Sequence, residues 1–211
     1  MFIVATFLVA AEGCRFEHRL MSGDIAFQTA RLYFRPIVAG DAQLLCELDS
    51  DPEVMRFISK GVPTPLDKIE NDIMPRILSQ FRVWPPQGFW IAHVRDSGEW
   101  IGWFHLRPDK FTPEEMEIGY RLKRSAWGKG HATEGSRALI ERSFAEWGYP
   151  KISARTLVGN LASRRVMEKA GLCFECEFIW PERILPGWTE QERAGVKYSL
   201  RDQDENEDLR C

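Results

Sequence analysis

The sequence predicts a mixed α/β (α+β) fold in which helices and strands surround a single sheet. Three observations support this prediction. The chain has 211 residues, which suits one domain with a well-buried core. Its segments follow the order strand, helices, three strands, helix, strand, helix, two strands. No internal repeat or low-complexity linker interrupts residues 30–201, so we assign them to one domain.

The first four strands are predicted from alternating side-chain patterns. Residues 31–37 (RLYFRPI) alternate and are rich in the aromatic and β-branched side chains that strands favour. Residues 89–108 give a hairpin signal, because two strand-like segments flank the turn sequence Asp-Ser-Gly at 96–98. Residues 115–123 (EMEIGYRLK) make the fourth strand.

Helices are predicted between the first strand and the hairpin. Residues 39–82 contain the periodicity of two or three helices, and Pro52 stands at a first helical position. Pro75 interrupts the last of these patterns. Because proline has no N–H and crowds the preceding turn, we expect it to kink or divide that helix.

Helices and strands alternate in the second half of the chain. A helical period occupies residues 131–148, and the strand 151–157 follows it. Residues 160–171 predict another helix, which begins with a capping asparagine and ends with a glycine. Two strands, 173–180 and 194–201, bring the predicted sheet to about seven strands.

Composition and charge exclude several classes of function. A net charge of -3 argues against a nucleic-acid binder, which usually carries a basic excess. Five cysteines without the spacing of a disulfide framework indicate a reducing compartment, and hence a cytoplasmic protein. Cys173 and Cys176 form a lone CxxC pair, which we interpret as structural, and we predict no metal.

Both ends of the chain are predicted to lie outside the domain. Residues 1–25 open with an apolar segment of about eleven residues, which is too short to span a membrane. A signal peptide fits poorly because no lysine or arginine precedes it; a cleaved or anchoring segment is the alternative. We expect no membrane association. Residues 202–211 are strongly acidic and predict a solvated tail.

The connection between the fourth strand and the next helix carries the clearest chemical signal. It reads SAWGKGHATEG over residues 125–135. Anions bind at helix N-termini, and Gly128 and Gly130 remove side chains that would block their approach. The spacing fits neither G-x-G-x-x-G nor a Walker loop, so a plain strand-to-helix turn is the alternative on these residues alone.

Four segments in order resemble the GNAT superfamily of acetyl-CoA-dependent N-acetyltransferases. They are RLYFRPI, EIGYRL, the glycine-containing loop, and NLASRRVMEKAGL after the fifth strand. In the family motif Q/R-x-x-G-x-G/A, Gly130 and Ala132 match, whereas Trp127 replaces the usual Gln or Arg. The pattern W-G-K-G-x-A-T-E is similar to the branch of the ribosomal-protein N-terminal acetyltransferases. The resemblance covers residues 31–201.

The resemblance implies a mostly antiparallel sheet that is splayed between its fourth and fifth strands, with helices on both faces and acetyl-CoA in the opening. The pantetheine arm would pair with backbone from Tyr120 to Leu122, and Asn160 would hydrogen-bond it. The side chain of Lys129 would approach a phosphate or face solvent, and His131 would take no part in catalysis. The residues expected around the pyrophosphate are Trp127, Gly128, Lys129, Gly130, His131, Ala132 and Thr133.

Acetylation of an amine requires a base for the ammonium and a proton donor for the thiolate. Glu117, on the fourth strand beside the splay, is the candidate base; an ordinary solvent-facing strand residue is the alternative. Glu115 is the second candidate. Many family members use a tyrosine as the acid, but Met167 occupies that position here. The resemblance implies Ser163 as the substitute. Simple helix-capping roles are the alternative for Asn160 and Ser163.

The acceptor site is expected between the aromatic hairpin region and the loop before the last strand. That loop carries Trp188 and acidic residues, which would suit a cationic amine. His93 and His105 are either lining residues or ordinary strand histidines. Aromatic side chains divide between the core and an acceptor wall or dimer surface; they are Trp84, Phe89, Trp90, Trp100, Trp103 and Phe104.

We therefore predict an acetyl-CoA-dependent N-acetyltransferase that acts by direct attack in a ternary complex. By resemblance alone, the first acceptor hypothesis is a protein N-terminal α-amine. The alternative is a small-molecule amine: a polyamine, an aminoglycoside or an amino-acid-like compound. A second alternative is a non-catalytic acyl-CoA-binding module. The expected partner is an amine-bearing substrate, with a homodimer possible and no nucleic acid or membrane involved.

Overall fold

The computed structural model describes residues 25–83 and 88–202, which form one sheet with helices around it. Nearly all of the predicted N-terminal extension and of the acidic tail lies outside these residues, as does Trp84. The extents assigned to the extension and the tail therefore stay predictions.

The sheet has eight strands where about seven were predicted. They are β1 (Phe27–Gln28), β2 (Leu32–Pro36), β3 (Gly88–Val94), β4 (Trp100–Pro108), β5 (Met116–Leu122), β6 (Lys151–Leu157), β7 (Cys173–Ile179) and β8 (Ala194–Arg201). The spatial order is β1-β2-β3-β4-β5-β6-β8-β7. Neighbours are antiparallel except β5 and β6, which are parallel. The predicted mixed, mostly antiparallel fold is confirmed.

Six α-helical segments accompany the sheet in the described residues. They are α1 (Ala42–Asp49), α2 (Pro52–Ser59), α3 (Leu66–Lys68), α4 (Met74–Val83), α5 (His131–Ala145) and α6 (Leu161–Lys169). A π-helical turn, Ile69–Ile73, separates α3 from α4 immediately before Pro75. Because proline cannot donate to the helical ladder, the wider turn accommodates it. The predicted division at Pro75 is confirmed.

Alternate side chains of the central strands enter two separate cores. On one face, Phe104 and Leu106 belong to the same buried cluster as Leu139 of α5. On the other face, Ile91 clusters with Leu45 of α1 and with the helical residues that follow it. Helices therefore cover both faces of the sheet, as predicted.

β5 and β6 pair over only two positions, Met116 with Ile152 and Glu117 with Ser153. Beyond these pairs β5 remains bonded to β4 as far as Leu122, and β6 remains bonded to β8 along its whole length. A wedge-shaped opening therefore separates β5 from β6. The predicted splay is confirmed; its strands are the fifth and sixth here because β1 is additional.

Cysteine chemistry departs from the sequence-based expectation. Cys46 and Cys176 are free thiols, whereas Cys173 is disulfide-bonded. The cysteine spacing did not predict a disulfide, and the reducing, cytoplasmic location stays a prediction. Within the described residues, no helix is long and apolar enough to cross a bilayer, and no cluster of three or more ligand-type side chains is arranged to hold a metal ion.

Candidate active site

The opening exposes one edge of β5. From Ile118 to Leu122 this edge has no strand partner in the described part of the chain, while the opposite edge pairs with β4. Unpaired strand edges take up extended ligands through their backbone groups. Tyr120 and Leu122, which were predicted to pair with the pantetheine arm, lie on this stretch.

Trp127 fixes the loop that follows β5 to the end of the strand. Its indole N–H donates to the carbonyl oxygen of Leu122 over 2.9 Å, and the residue is 45% exposed. The tryptophan in the motif position usually taken by Gln or Arg therefore has a definite structural role. It closes the turn that leads from β5 into the glycine-containing loop.

Two glycines give this loop its conformation. Gly128 and Gly130 have φ angles of 73° and 80°, in the left-handed region that disfavours residues with a Cβ. A Cβ at Gly128 would meet nothing within 4 Å, so its backbone conformation alone requires glycine. Among the described residues, the N–H groups of 128–133 donate to no backbone carbonyl. They form a row of free donors at the positive end of a 15-residue helix, which is suited to an anion.

The remaining side chains of the loop contribute less. Lys129 is exposed, and Ala132 and Thr133 lie half-buried in the first turn of α5. His131 is buried, and burial lowers the pKa of its imidazole, so the ring is neutral near pH 7. A neutral, buried ring adds no charge to an anion site.

Three residues connect the loop to the start of the sheet: Thr29, Arg31 and Glu134, here termed the N-terminal clamp. The carboxylate of Glu134 accepts from Arg31 Nε over 2.6 Å, from the Arg31 backbone N–H over 2.8 Å and from the Thr29 hydroxyl over 2.6 Å. The Arg31 guanidinium also donates to the carbonyl oxygen of Lys129 over 2.9 Å. The clamp therefore holds both the first helical turn and the loop before it.

Sequence reasoning missed the clamp. Arg31 and Glu134 are 103 residues apart, and no local pattern relates them. The available signal was indirect, since Arg31 opens RLYFRPI and Glu134 closes the W-G-K-G-x-A-T-E pattern. Both segments were recognised by resemblance, but nothing in them indicates contact.

A hydroxyl contact joins β5 to α6 across the opening. Tyr120 Oη lies 3.0 Å from Ser163 Oγ and 3.2 Å from the Ser163 carbonyl oxygen. Burial raises the pKa of Tyr120 to about 12, so the phenol stays protonated at neutral pH. Asn160 Oδ1 accepts from the Ser163 N–H over 3.2 Å, which confirms Asn160 as a helix cap. Met167 is buried in the core and supplies no hydroxyl.

Glu117 lies where β5 and β6 part, and the residue is 7% exposed. Its Oε2 accepts from Arg107 Nη2 over 2.9 Å, whereas Oε1 has no hydrogen-bond partner among the described residues. Burial raises the pKa of the carboxyl, and the charge of Arg107 opposes that rise. A carboxylate with a free oxygen and a raised pKa beside an opening has the properties of a general base.

Glu115, the reserve candidate, is engaged elsewhere. Its carboxylate pairs with Lys151 over 2.9 Å and with Lys197 over 2.8 Å. Lys197 is buried, so removal of Glu115 would leave a buried ammonium with less compensation. We therefore interpret Glu115 as structural.

The aromatic side chains of the hairpin region divide between the two faces, as alternation predicts. Trp90 and Phe104 belong to the core beneath α5, and Phe89, Trp100 and Trp103 face the other helices. The first group is therefore unavailable to an acceptor.

The two hairpin histidines differ in their surroundings. His93 has Nδ1 3.0 Å from the Gly98 carbonyl oxygen and stacks on Tyr33, which makes it an ordinary strand histidine. His105 is buried on the face that carries Glu117, and neither ring nitrogen has a partner in the described chain.

The loop between β7 and β8 contacts the end of α2. Lys60 Nζ lies 2.9 Å from Glu192 and 5.0 Å from the centroid of the Trp188 ring. Lys60 neutralises Glu192, so this carboxylate is not free to attract a cationic amine as the sequence suggested. Instead, the contact connects helices before β5 with a loop after β6, across the opening.

The fold and the site geometry agree with the comparisons with known proteins. Residues 31–172 match the family described as Acetyltransferase (GNAT) domain, which is more than half of the chain. The chain belongs to the GNAT acetyltransferase family.

One curated relative and two solved structures illustrate the similarity. The chain is 31% identical over 180 residues to the FsC-acetyl coenzyme A-N(2)-transacetylase of Aspergillus fumigatus, covering 82% of this chain and 74% of that protein. A GNAT-family acetyltransferase from Bacillus anthracis superposes with a TM-score of 0.65 at 22% identity, covering 82% of this chain and 96% of that chain. The structure of aminoglycoside acetyltransferase AAC(6')-Ib in complex with coenzyme A superposes with a TM-score of 0.65 at 22% identity, covering 82% of this chain and 95% of that chain.

These findings confirm the prediction of an acetyl-CoA-dependent N-acetyltransferase with the GNAT fold. The narrower resemblance to the ribosomal-protein N-terminal acetyltransferases stays a prediction. So do the acceptor, the homodimer and the roles of individual residues.

Removing the guanidinium of the clamp should weaken the binding of acetyl-CoA. We expect Arg31→Ala to raise the KM for acetyl-CoA about fivefold with little change in kcat, because Arg31 is half-exposed and its ion pair is partly screened. Steady-state kinetics with varied acetyl-CoA would measure this. Arg95→Ala is the matched control, since Arg95 donates to the Thr29 carbonyl oxygen in the same segment but does not reach the loop. Equal effects of both variants would contradict a role in loop positioning.

A side chain at Gly130 should abolish cofactor binding. We expect Gly130→Val to remove the thermal shift caused by acetyl-CoA, because a left-handed β-branched residue costs about 1–2 kcal/mol and the loop would relax away from this conformation. Gly148→Val is the control: its φ is 65° and it follows the other end of α5. A Cβ at Gly148 would meet nothing within 4 Å, whereas a Cβ at Gly130 would lie 3.3 Å from Arg31 Nη2 of the clamp. If Gly130→Val is as stable as the control and still shows the thermal shift with acetyl-CoA, the loop is not the binding site.

Proposed function

We propose that this protein transfers the acetyl group of acetyl-CoA to the primary amine of a small molecule, by direct attack in a ternary complex. One observation carries the proposal: the opening between β5 and β6 combines a free strand edge, a row of free N–H donors and a buried carboxylate with one free oxygen. Each of these features has a separate task in such a reaction.

The residues around the opening fit acetyl-CoA. The N–H groups of the glycine-containing loop would bind its pyrophosphate, and the free edge of β5 would pair with its pantetheine arm. When bound, acetyl-CoA supplies an activated acetyl thioester. The proposed binding residues are Tyr120, Leu122, Trp127, Gly128, Lys129, Gly130, His131, Ala132, Thr133, Asn160 and Ser163.

Glu117 is the proposed general base. An ammonium must lose a proton before its nitrogen can attack a thioester. The free Oε1 of Glu117 would take this proton, directly or through a water molecule, while Oε2 stays bonded to Arg107. The raised pKa of the carboxyl brings it closer to neutral pH, where a base is most effective.

Ser163 and Tyr120 are the proposed proton donors for the leaving thiolate. The Ser163 hydroxyl is at the start of α6, and the protonated phenol of Tyr120 lies within hydrogen-bond distance of it. A proton given by Ser163 can be replaced from Tyr120. This pair would do the work of the motif tyrosine that Met167 replaces.

The contact of Lys60 with Glu192 and Trp188 supports a compact acceptor. It connects the helical side and the loop side of the opening and so restricts the approach of a folded polypeptide. The Aspergillus fumigatus relative is named for transfer to N(2) of FsC, which supports an amine nitrogen as the acceptor here. A protein N-terminal α-amine remains the second candidate, on the W-G-K-G-x-A-T-E pattern.

Release of free thiol from acetyl-CoA, measured across a panel of amines and short peptides, tests the proposal. Turnover with small amines but not with N-terminal peptides supports it, and the reverse result selects the second candidate. Binding without any turnover indicates a non-catalytic acyl-CoA-binding module. A hundredfold excess of acetyl-CoA over its dissociation constant should stabilise the protein by about 2.7 kcal/mol. The absence of a thermal shift under that condition would refute the proposal.

Glu117→Gln should slow turnover by about 10²-fold or more while leaving the acetyl-CoA thermal shift intact, because only the proton acceptor is lost. In the unaltered protein, kcat/KM should fall as the pH drops through the raised pKa of Glu117, above the usual glutamate range. The variant should lack this acidic limb. Glu114→Gln removes an exposed carboxylate nearby and serves as the control. Normal turnover in Glu117→Gln would remove Glu117 from the mechanism.

Tyr120→Phe and Ser163→Ala should each lower kcat about tenfold. Coenzyme A binding should change little, because Tyr120 would pair with the pantetheine arm through its backbone and the Ser163 hydroxyl would face only the sulfur. The two losses should be non-additive because the hydroxyls act as one pair. Kinetics of both single variants and the double variant would show this. Tyr33→Phe, away from the opening, is the control. Additive losses, or full activity in Ser163→Ala, would contradict the proposed relay.

A further inference from the structure

Three buried polar atoms without hydrogen-bond partners in the described chain lie beside Glu117. Within the described residues, Arg107 Nε and both ring nitrogens of His105 are buried and make no hydrogen bond. On β4 these two residues pair with Glu117 and Gly119 of β5, so all four share one patch on one face. Folded proteins rarely leave such atoms unmatched. Their position beside the proposed base indicates a polar ligand.

The structure holds the His105 ring tightly in this patch. A Cβ at Gly119 would lie 2.4 Å from His105 Cε1, so the ring rests directly against the β5 backbone. Its centroid is 4.9 Å from that of Phe89 and 5.7 Å from that of Trp103. Burial, and then the charge of Arg107, keep the pKa of His105 well below its usual value. The neutral ring therefore offers one donor and one acceptor.

The charges around the patch leave one cation unpaired. Glu117 pairs with Arg107, and Asp49 pairs with Arg121. Lys110, on the connection after β4, has no ion-pair partner among the described residues. Partial burial, and then the charge of Arg107, lower the pKa of its ammonium. The patch thus has room for one further negative charge.

Proton transfer to Glu117 would increase this need. Once Glu117 is protonated, it no longer neutralises the largely buried guanidinium of Arg107. An uncompensated charge in such a place is costly. A negative group on the acceptor, near Arg107 Nε, would remove that cost. Before the transfer, the Glu117–Arg107 pair is complementary to a zwitterion whose ammonium faces Oε1 and whose acidic group faces Nε.

We propose that the acceptor is an amino-acid-like amine, which carries a carboxylate or another acidic group a few bonds from its primary amine. Arg107 and Lys110 bind the acidic group, and His105 hydrogen-bonds the same molecule. This inference rests on the proposed function and narrows its substrate class. It disfavours polyamines and aminoglycosides, which carry no acidic group. It also disfavours a peptide N-terminus, because the carboxyl of the first residue is part of a peptide bond and leaves no carboxylate next to the α-amine.

Matched acceptors test the inference. L-Leucine, L-leucinamide and 3-methylbutylamine share one carbon skeleton and differ in the acidic group; L-lysine and cadaverine form a second set. We expect kcat/KM for each amino acid to exceed that for its uncharged counterpart about tenfold or more. If the amide and the amine are acetylated as well as the amino acid, the inference is overturned while the proposed function stands. If all these compounds fail and polyamines or peptides react, the inference is likewise overturned.

Two variants connect the preference to the patch. Lys110→Gln removes an ammonium that has no ion-pair partner among the described residues, so little loss of stability is expected. It should lower the ratio of kcat/KM for L-leucine to that for L-leucinamide about fivefold. Arg107→Gln should lower the same ratio further, although it also slows both reactions because Arg107 holds Glu117. Lys68→Gln on α3 is the matched control and should leave the ratio unchanged. An unchanged ratio in Lys110→Gln and Arg107→Gln would overturn the assignment.

Discussion

The parting of β5 and β6 after two residue pairs is the constraint on which the site depends. If the ladder continued to Leu122, the strand edge would be consumed by β6 and no extended ligand could pair with it. Each strand tolerates the separation because its other side is fully bonded, β5 to β4 and β6 to β8. The opening therefore leaves backbone groups without a strand partner along the two edges that face each other across it.

Ion pairs at the closed end of the opening stabilise this arrangement. Lys151 and Lys197 each contact both Glu115 and Glu175, at distances of 2.8–2.9 Å. Lys151 lies on β6, Lys197 on β8 and Glu175 on β7, and Glu115 directly precedes β5. The ion pairs therefore join the two halves of the sheet at the end where β5 and β6 still pair. Among the described residues, the open end has no such network; it is spanned by the Tyr120 and Ser163 hydroxyls and by the contacts of Lys60.

Much of the fold was predictable because local patterns determine it. The strands that alternate, the helix capped by Asn160 and the interruption at Pro75 each follow from residues close together in sequence. β1 was missed because two residues carry no period. The glycine-containing loop was predicted as a segment, since glycines before a helix are a local signal. The ion pairs of Arg107 with Glu117 and of Lys60 with Glu192 were not predicted, because they depend on strand register and on contacts between distant loops.

The N-terminal clamp has a consequence for where the working enzyme begins. The family match starts at residue 31, yet Phe27 is already part of the main core and the Thr29 hydroxyl already supports α5. A protein trimmed at residue 31 would keep the sequence by which the family is recognised, but it would lose an edge strand and one of the three supports of Glu134. The folded domain is therefore larger than the segment that identifies its family.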